Sequence, residues 1–268
     1  MQETLCFQNE STSDYSPPPI ISTINLENKK IYSVRDDLLI GGTKQRAIIP
    51  YLKKYMEKGI RHFIYASPFS GFAQVALAYG CQELGVDCTL FCEKDNDQYI
   101  HEFSLLSKTY GADIILCKSL AEADLSSQIF VNNNIKAQLI PLGFNDSEFR
   151  LLLEIEIEKH WYYLSSKQEI KEIWLPIGSG TLISVFRKVL GNHIKIHGVN
   201  VNVIPDSDYR IREILKNSLI EYHKCNQKLH DPCMDTIPIP SNKYYDAKLY
   251  QFLQTHASDE ALWWNVSR

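Results

Sequence analysis

The chain has 268 residues, 44% of them hydrophobic and 22% charged, which is enough apolar content for a buried core in one domain or two small ones. A formal net charge of −4 and a pI near 6.1 exclude a nucleic-acid surface held by bulk positive charge. No apolar run approaches the roughly 20 residues that a membrane-spanning helix needs, so neither nucleic acid nor membrane is expected as a partner.

The N-terminal stretch MQETLCFQNESTSDYSPPP lacks the basic and then apolar layout of a signal peptide. It reads as a polar, flexible arm over residues 1–16 that ends in prolines. The first strand pattern is IYSVR (31–35), and it runs into RDDLLIGGTKQR (35–46). There two glycines precede Lys44, which enters a helix pattern over 43–58. Such a lysine is either a solvated side chain after a tight turn or an amine that something is meant to approach. Pro50 should kink or break that helix.

HFIYA (62–66) is the next strand, and SPFSGFAQVALAYG (67–80) turns from it into a helix over 71–84. Ser67, Ser70 and Gly71 stand at the mouth of that turn, where hydroxyls and helix-start N–H groups could hold a carboxylate. A serine-rich helix cap is the simpler explanation of the stretch by itself. CTLFCE (88–93), ADIILC (113–117) and KAQLIP (136–141) follow as strands, with helix patterns over 98–110 and 147–165.

EIWLPI (172–177) then passes through Gly178-Ser179-Gly180-Thr181 into a helix over 180–190. Unpaired N–H groups at a helix start, opened by glycines, suit a phosphate. No Gly-Lys-Ser/Thr follows, and Ile183 stands where a dinucleotide fingerprint has its third glycine, so the loop suggests a phosphate and not a nucleotide. IKIHGV (194–199) is a further strand, and 204–240 is irregular and has no assigned element. KYYDAKLYQF (243–252) reads as the apolar stripe of a helix with a tyrosine at its mouth, and Trp263 and Trp264 in ALWWN as a core strand.

These strands are continuous apolar runs, as parallel strands buried on both faces require. Alternating with helices, they imply an α/β fold of two lobes, each a mostly parallel twisted sheet flanked by helices with right-handed crossovers. The small lobe is expected over 52–146, and the large lobe over 1–51 plus 147–268.

Seven scattered cysteines, several within apolar runs, suit free thiols in a reducing cytosol. His193 and His197 are four apart on a strand and share no helical face, so a metal role is not expected of them. His223, Cys225, His230 and Cys233 have spacings a zinc site could use, but scattered loop residues often do, and no metal is expected.

Taken together these stretches resemble the fold-type II pyridoxal-phosphate enzymes, in particular the aminocyclopropane-carboxylate deaminase and D-cysteine desulfhydrase branch. That branch carries an arginine and two aspartates, then two glycines, an asparagine, a lysine and a basic residue; here the stretch is RDD-LLI-GGTKQR. By this resemblance Lys44 is the Schiff-base lysine, and Gly178, Ser179, Gly180 and Thr181 form the phosphate loop. Ser67, Ser70 and Gly71 fall where the family binds the substrate carboxylate. Tyr245 in YYDAK looks like the tyrosine of the family's Tyr-x-Gly-Lys segment, and Asn265 or Ser267 would meet the pyridine nitrogen. The resemblance runs from about residue 17 to the end, in the family's order.

Departures are also present. Thr43 replaces the family's asparagine before the lysine, and Ser70 or Phe72 stands where an asparagine usually meets the cofactor's phenolic oxygen. The phosphate loop is one glycine short. The resemblance implies a pyridoxal 5'-phosphate lyase or deaminase for a small amino acid, cytoplasmic and homodimeric. Its alternatives are β-replacement of the cysteine-synthase kind and a degenerate cofactor-holding relative. A nucleotide-binding module using Gly178–Thr181 ranks last.

Overall fold

Most strand runs in this sequence are apolar on both sides, and the chain buries them between helices, except that the edge run 113–117 leaves Ile115 and Leu116 exposed. A computed structural model describes residues 15–26, 28–94 and 99–268. Most of the expected N-terminal arm, including Cys6, and the first residue of the helix pattern over 98–110 lie outside the described residues.

The chain opens with an antiparallel hairpin, β1 (Ile21–Leu26) and β2 (Lys29–Arg35). A short 3-10 turn, Gly42–Lys44, leads into α1 (Gln45–Glu57). There follow β3 (His62–Ser67), α2 (Ala73–Leu84), β4 (Asp87–Glu93), α3 (Glu102–Thr109), β5 (Asp113–Cys117), α4 (Leu120–Asn132) and β6 (Ala137–Ile140). The second half contains α5 (Ser147–Ser165), β7 (Glu172–Ile177), α6 (Thr181–Val189), β8 (Lys195–Asn200), α7 (Tyr209–Leu215), β9 (Ile220–Lys224), α8 (Tyr250–His256) and β10 (Leu262–Asn265).

Two sheets result, one in each lobe. The smaller is parallel throughout, in the order β5-β4-β3-β6. The larger has the order β1-β2-β10-β7-β8-β9 and is parallel except for β1. Every residue of β7 is buried, as a strand covered on both faces must be. Successive residues of β10 face opposite sides: Trp264 packs on Phe186 with ring centroids 4.8 Å apart, and Trp263 joins the cluster around Trp174. The long α5 buries Phe149, Leu153, Ile157, His160 and Leu164, one stripe at helical spacing.

Three expectations need correction. α1 continues through Pro50 instead of breaking there; the proline lies in the helix's second turn and forgoes one hydrogen bond. The region 204–240 is not wholly irregular, because it holds α7 and the edge strand β9. Helix α4 was not expected at all, although Ser119 caps it by accepting from the Glu122 N–H, a Ser-x-x-Glu signature that is readable in the sequence.

The turn before α1 is anchored by a buried ion pair. Asp36 and Arg46 are both essentially inaccessible, and Arg46 Nε donates to Asp36 Oδ2 at 3.0 Å. Thr43 Oγ1 donates to the same carboxylate oxygen at 2.8 Å, and Trp264 Nε1 of β10 donates to it at 2.9 Å. On its far side Arg46 donates to the Pro17 carbonyl and meets His160 of α5. Removing one member of a buried pair leaves the other charge uncompensated. Asp36→Ala is therefore expected to lower unfolding free energy by about 3–5 kcal/mol in chemical denaturation; a loss below about 1 kcal/mol would mean the pair is no anchor.

Candidate active site

Parallel α/β sheets form crevices beyond the carboxyl ends of their strands. In the larger sheet β2, β10 and β7 are neighbours and run in the same direction. The residues just after them are therefore brought together: Lys44 after β2, Val266 and Ser267 after β10, Gly178 and Ser179 after β7. All of these line one cavity, and Ser70, Gly71 and Phe72, which follow β3 of the smaller sheet, line it too. A contiguous recess is lined by Lys44, Gly178, Ser179, Gly180, Thr181 and Tyr245.

The opening glycines have a steric cause. Gly42 has φ of +61°, and a Cβ there would lie 2.3 Å from the Val266 carbonyl oxygen. Thr43 N–H donates to that same carbonyl at 3.0 Å, so the turn is fastened to the end of β10. Thr43 Oγ1, held by Asp36 and receiving Trp264 Nε1 at 3.0 Å, does the fastening from the side-chain end. Lys44 is thus placed at the cavity by a turn secured on both sides.

Burial lowers the Lys44 pKa to about 8, against a smaller opposing pull from the Asp246 carboxylate. Among the described residues no hydrogen-bond acceptor holds its Nζ, and its remaining exposure is to the cavity. The fully buried lysine, Lys248, is engaged: its Nζ donates to the Lys228 and Leu229 carbonyls at 2.6 and 3.2 Å. Lys44 is the amine left free to react.

Two helix starts without a side-chain cap lie nearby. α6 starts at Thr181 after Gly180 with no side chain capping it, so its first N–H groups are open to a ligand. Gly178 lies against Tyr245, whose hydroxyl would be 2.5 Å from any Cβ at that position; no other residue fits there. The hydroxyls of Ser179 and Thr181 meet the Gly143 carbonyl at 3.5 and 3.1 Å, so the loop Leu142–Phe144 closes one side of the bend. Ser70 Oγ is buried, lines the cavity and has no hydrogen-bond partner among the described residues, among which α2 likewise starts without a side-chain cap. An orphaned hydroxyl beside an open helix start fits a carboxylate.

Ser267 lines the cavity with its hydroxyl fixed, donating to Asp246 Oδ2 at 3.0 Å and receiving Asn242 Nδ2 at 3.3 Å. Two candidate residues lie elsewhere. Asn265 does not line the cavity, because its Nδ2 donates to Asp37 Oδ1 and to the Pro240 carbonyl, which hold the side chain in the wall behind. Ser67 is wholly buried and donates to the Pro68 carbonyl, so it supports the turn from beneath and does not face the cavity.

Asp246 was missed from sequence. It accepts from the Val266 and Ser267 N–H groups and from Ser267 Oγ, tying down the end of β10. Burial raises its pKa to about 8 despite those donors. Its only sequence signal is an acid in an aromatic stretch, directly after Tyr245. Tyr65 and Gly143, whose N–H donates to the Tyr65 hydroxyl at 3.1 Å, also line the cavity and carried no signal. The residues present, a free amine of lowered pKa near two uncapped helix starts, fit a phosphorylated aldehyde.

The architecture, two mostly parallel sheets flanked by helices, is shared with solved structures. No protein-family model matches the sequence, and no curated protein does. Among solved structures, the fold is similar to that of an ACC deaminase homologue, with a TM-score of 0.79 and 15% identity over 95% of this chain and 90% of that one. It is also similar to a fungal L-serine ammonia-lyase from Rhizomucor miehei, with a TM-score of 0.69 and 12% identity over 94% of each chain. At such identities the likeness is one of fold.

The lowered Lys44 pKa sets a pH test. Below about pH 8 the amine is an unreactive ammonium ion, and above it a free nucleophile. Competitive labelling with an amine reagent should show Lys44 reactivity rising with a midpoint near 8; a midpoint near the ordinary lysine value of 10.5 would contradict the burial argument.

Proposed function

We propose that this protein is a pyridoxal-phosphate-dependent lyase or deaminase acting on a small amino acid. The observation that carries the proposal is the shared cavity: a half-buried amine at Lys44, without a hydrogen-bond partner among the described residues, lines the same cavity as the uncapped bend Gly178–Thr181. Pyridoxal phosphate, when bound, supplies an electron sink for bonds at the substrate's α-carbon.

The chain's own residues do the rest. The backbone N–H groups that open α6, with Gly178, Ser179 and Gly180 before them, hold the phosphate. Ser267 Oγ, fixed by Asp246 and Asn242, gives the ring nitrogen a polar contact. Lys44 Nζ would hold the aldehyde and, when free, would be the base that moves a proton at the substrate's α-carbon; a pKa near 8 suits both tasks. Ser70 Oγ and the N–H groups of Gly71 and the α2 start bind the substrate carboxylate. Tyr245, buried over Gly178, faces the same recess, and burial keeps its hydroxyl protonated as a donor. Phe72, Leu142, Val203 and Leu229 keep water from the reacting atoms.

A second reading is a cofactor-holding relative without turnover. It is favoured by the engagement of the Ser179 and Thr181 hydroxyls with Gly143 and by the serine and phenylalanine where the family has its asparagine.

Absorption spectra with added pyridoxal phosphate, followed by ammonia release from ACC, L-serine and other small amino acids, separate these readings. The lyase or deaminase reading expects a long-wavelength band, lost in Lys44→Ala, and ammonia from at least one amino acid. Ser70→Ala should then raise KM roughly tenfold or more, with less effect on kcat. A band without turnover favours the second reading, and no band overturns both.

A further inference from the structure

The two edge strands of the larger sheet are fastened differently. β1 is one arm of a hairpin, whereas β9 pairs only with β8 and is reached through exposed chain after α7. On one face of that edge three side chains converge. His197 of β8 stands in register opposite Glu221 of β9, and His223 lies two residues further along β9, hence on the same face.

The converging atoms have metal-ligand separations. His197 Nδ1 and His223 Nε2 are 3.1 Å apart, Glu221 Oε1 is 3.7 Å from His223 Nε2, and it is 4.0 Å from His197 Nδ1. Bonds of about 2.0–2.1 Å to a tetrahedral zinc ion would set ligand atoms roughly 3.3 Å apart. The two imidazoles are already close to that spacing. Glu221 is half exposed and has only a few tenths of an ångström to close, and its other oxygen is held by Lys195. Among the described residues this is the one group of histidine, cysteine and acidic side chains so arranged. The quartet suggested by spacing does not assemble: Cys225 points into the core toward Gln227, Cys233 toward Asp235 and the Ala247 carbonyl, and His230 lies near Glu93.

Among the described residues His197 Nε2 makes no hydrogen bond. Its ring is buried and stacked on Trp174 with centroids 4.1 Å apart, so it cannot turn to water. If Nδ1 donates to His223, the bare Nε2 lone pair faces the Glu172 carboxylate at 3.7 Å. If Nδ1 accepts, the Nε2 N–H points toward that carboxylate without reaching hydrogen-bond distance, and Nε2 is indeed buried without a partner. A metal on Nδ1 would select the second of these tautomers, with the proton on Nε2 facing Glu172. That is the carboxylate–histidine–metal arrangement that orients ligands in zinc sites. Glu172 is itself rigid, accepting from Trp174 Nε1 and from the Ser258 N–H and hydroxyl.

We propose that His197 Nδ1, Glu221 Oε1 and His223 Nε2 bind one zinc ion or a similar borderline divalent metal, which clips the edge strand β9 to β8. The site has imidazole and carboxylate donors only, and a fourth position is left to water. It is separate from the cavity that holds Lys44, whose lining includes none of these residues. Its role is to secure a short edge strand that would otherwise fray or pair with another chain.

The test uses the full chain, stripped with a chelator and dialysed against zinc chloride alone. About one equivalent of zinc should be retained per chain, and its binding should slow amide exchange within residues 220–224. His223→Gln and the half-exposed Glu221→Gln should each lose stoichiometric zinc and the slowed exchange, while thermal unfolding without zinc checks that both variants are folded. Glu172→Gln should weaken binding roughly 10–100-fold through loss of ligand orientation. His256→Ala, whose ring is 5.5 Å from that of His223 but outside the cluster, should bind as the parent does. The proposal is overturned if the parent retains no zinc, if both Glu221→Gln and His223→Gln retain it, or if bound zinc leaves exchange in β9 unchanged.

Discussion

The buried Asp36–Arg46 pair is the constraint on which the rest of this molecule depends. One carboxylate collects Arg46 of α1, Thr43 of the glycine turn and Trp264 of β10. The same guanidinium reaches the Pro17 carbonyl and His160 of α5. A buried ion pair is costly to assemble and contributes little net stability compared with apolar packing. What it contributes here is position. The turn carrying Lys44 cannot shift relative to β10 without breaking hydrogen bonds to a charge that no water reaches.

Topology does the remaining placement. Because β10, the last strand in sequence, inserts between β2 and β7, the chain's final residues come to lie between its glycine turn and its glycine bend. Asp246 then fastens Val266 and Ser267 from outside the sheet. Residues more than two hundred positions apart share a cavity because parallel neighbours end on the same side. The smaller sheet adds Ser70 and Gly71 from across the cleft, beside the open start of α2.

Much of this was readable from residues alone, and the reason is physical. Long apolar runs such as EIWLPI and helices with a clear buried stripe announce themselves by composition and period, and glycines next to a strand announce a bend. Short elements with few buried residues do not. α7 buries only Ile211 and Ile214, and β9 is half exposed along its length, so neither rose above the surrounding polar chain. β1 had a signal that went unused, since Ile24 and Leu26 alternate with exposed residues just ahead of a second strand. Side-chain direction was the harder matter. Asn265 and Ser267 were indistinguishable by position, and the Asp37 carboxylate, itself held by Arg35, turns Asn265 away together with the Pro240 carbonyl. Likewise His197 and His223 are 26 residues apart, and only the pairing of β8 with β9 makes them neighbours.

The central claim is that one amine, Lys44, is the group the fold offers to an aldehyde in this cavity. Borohydride reduction after incubation with pyridoxal phosphate, followed by peptide mapping, tests that most directly. The account predicts a pyridoxyl group on Lys44 alone. Its appearance instead on the fully buried Lys248, or spread over surface lysines, would contradict it.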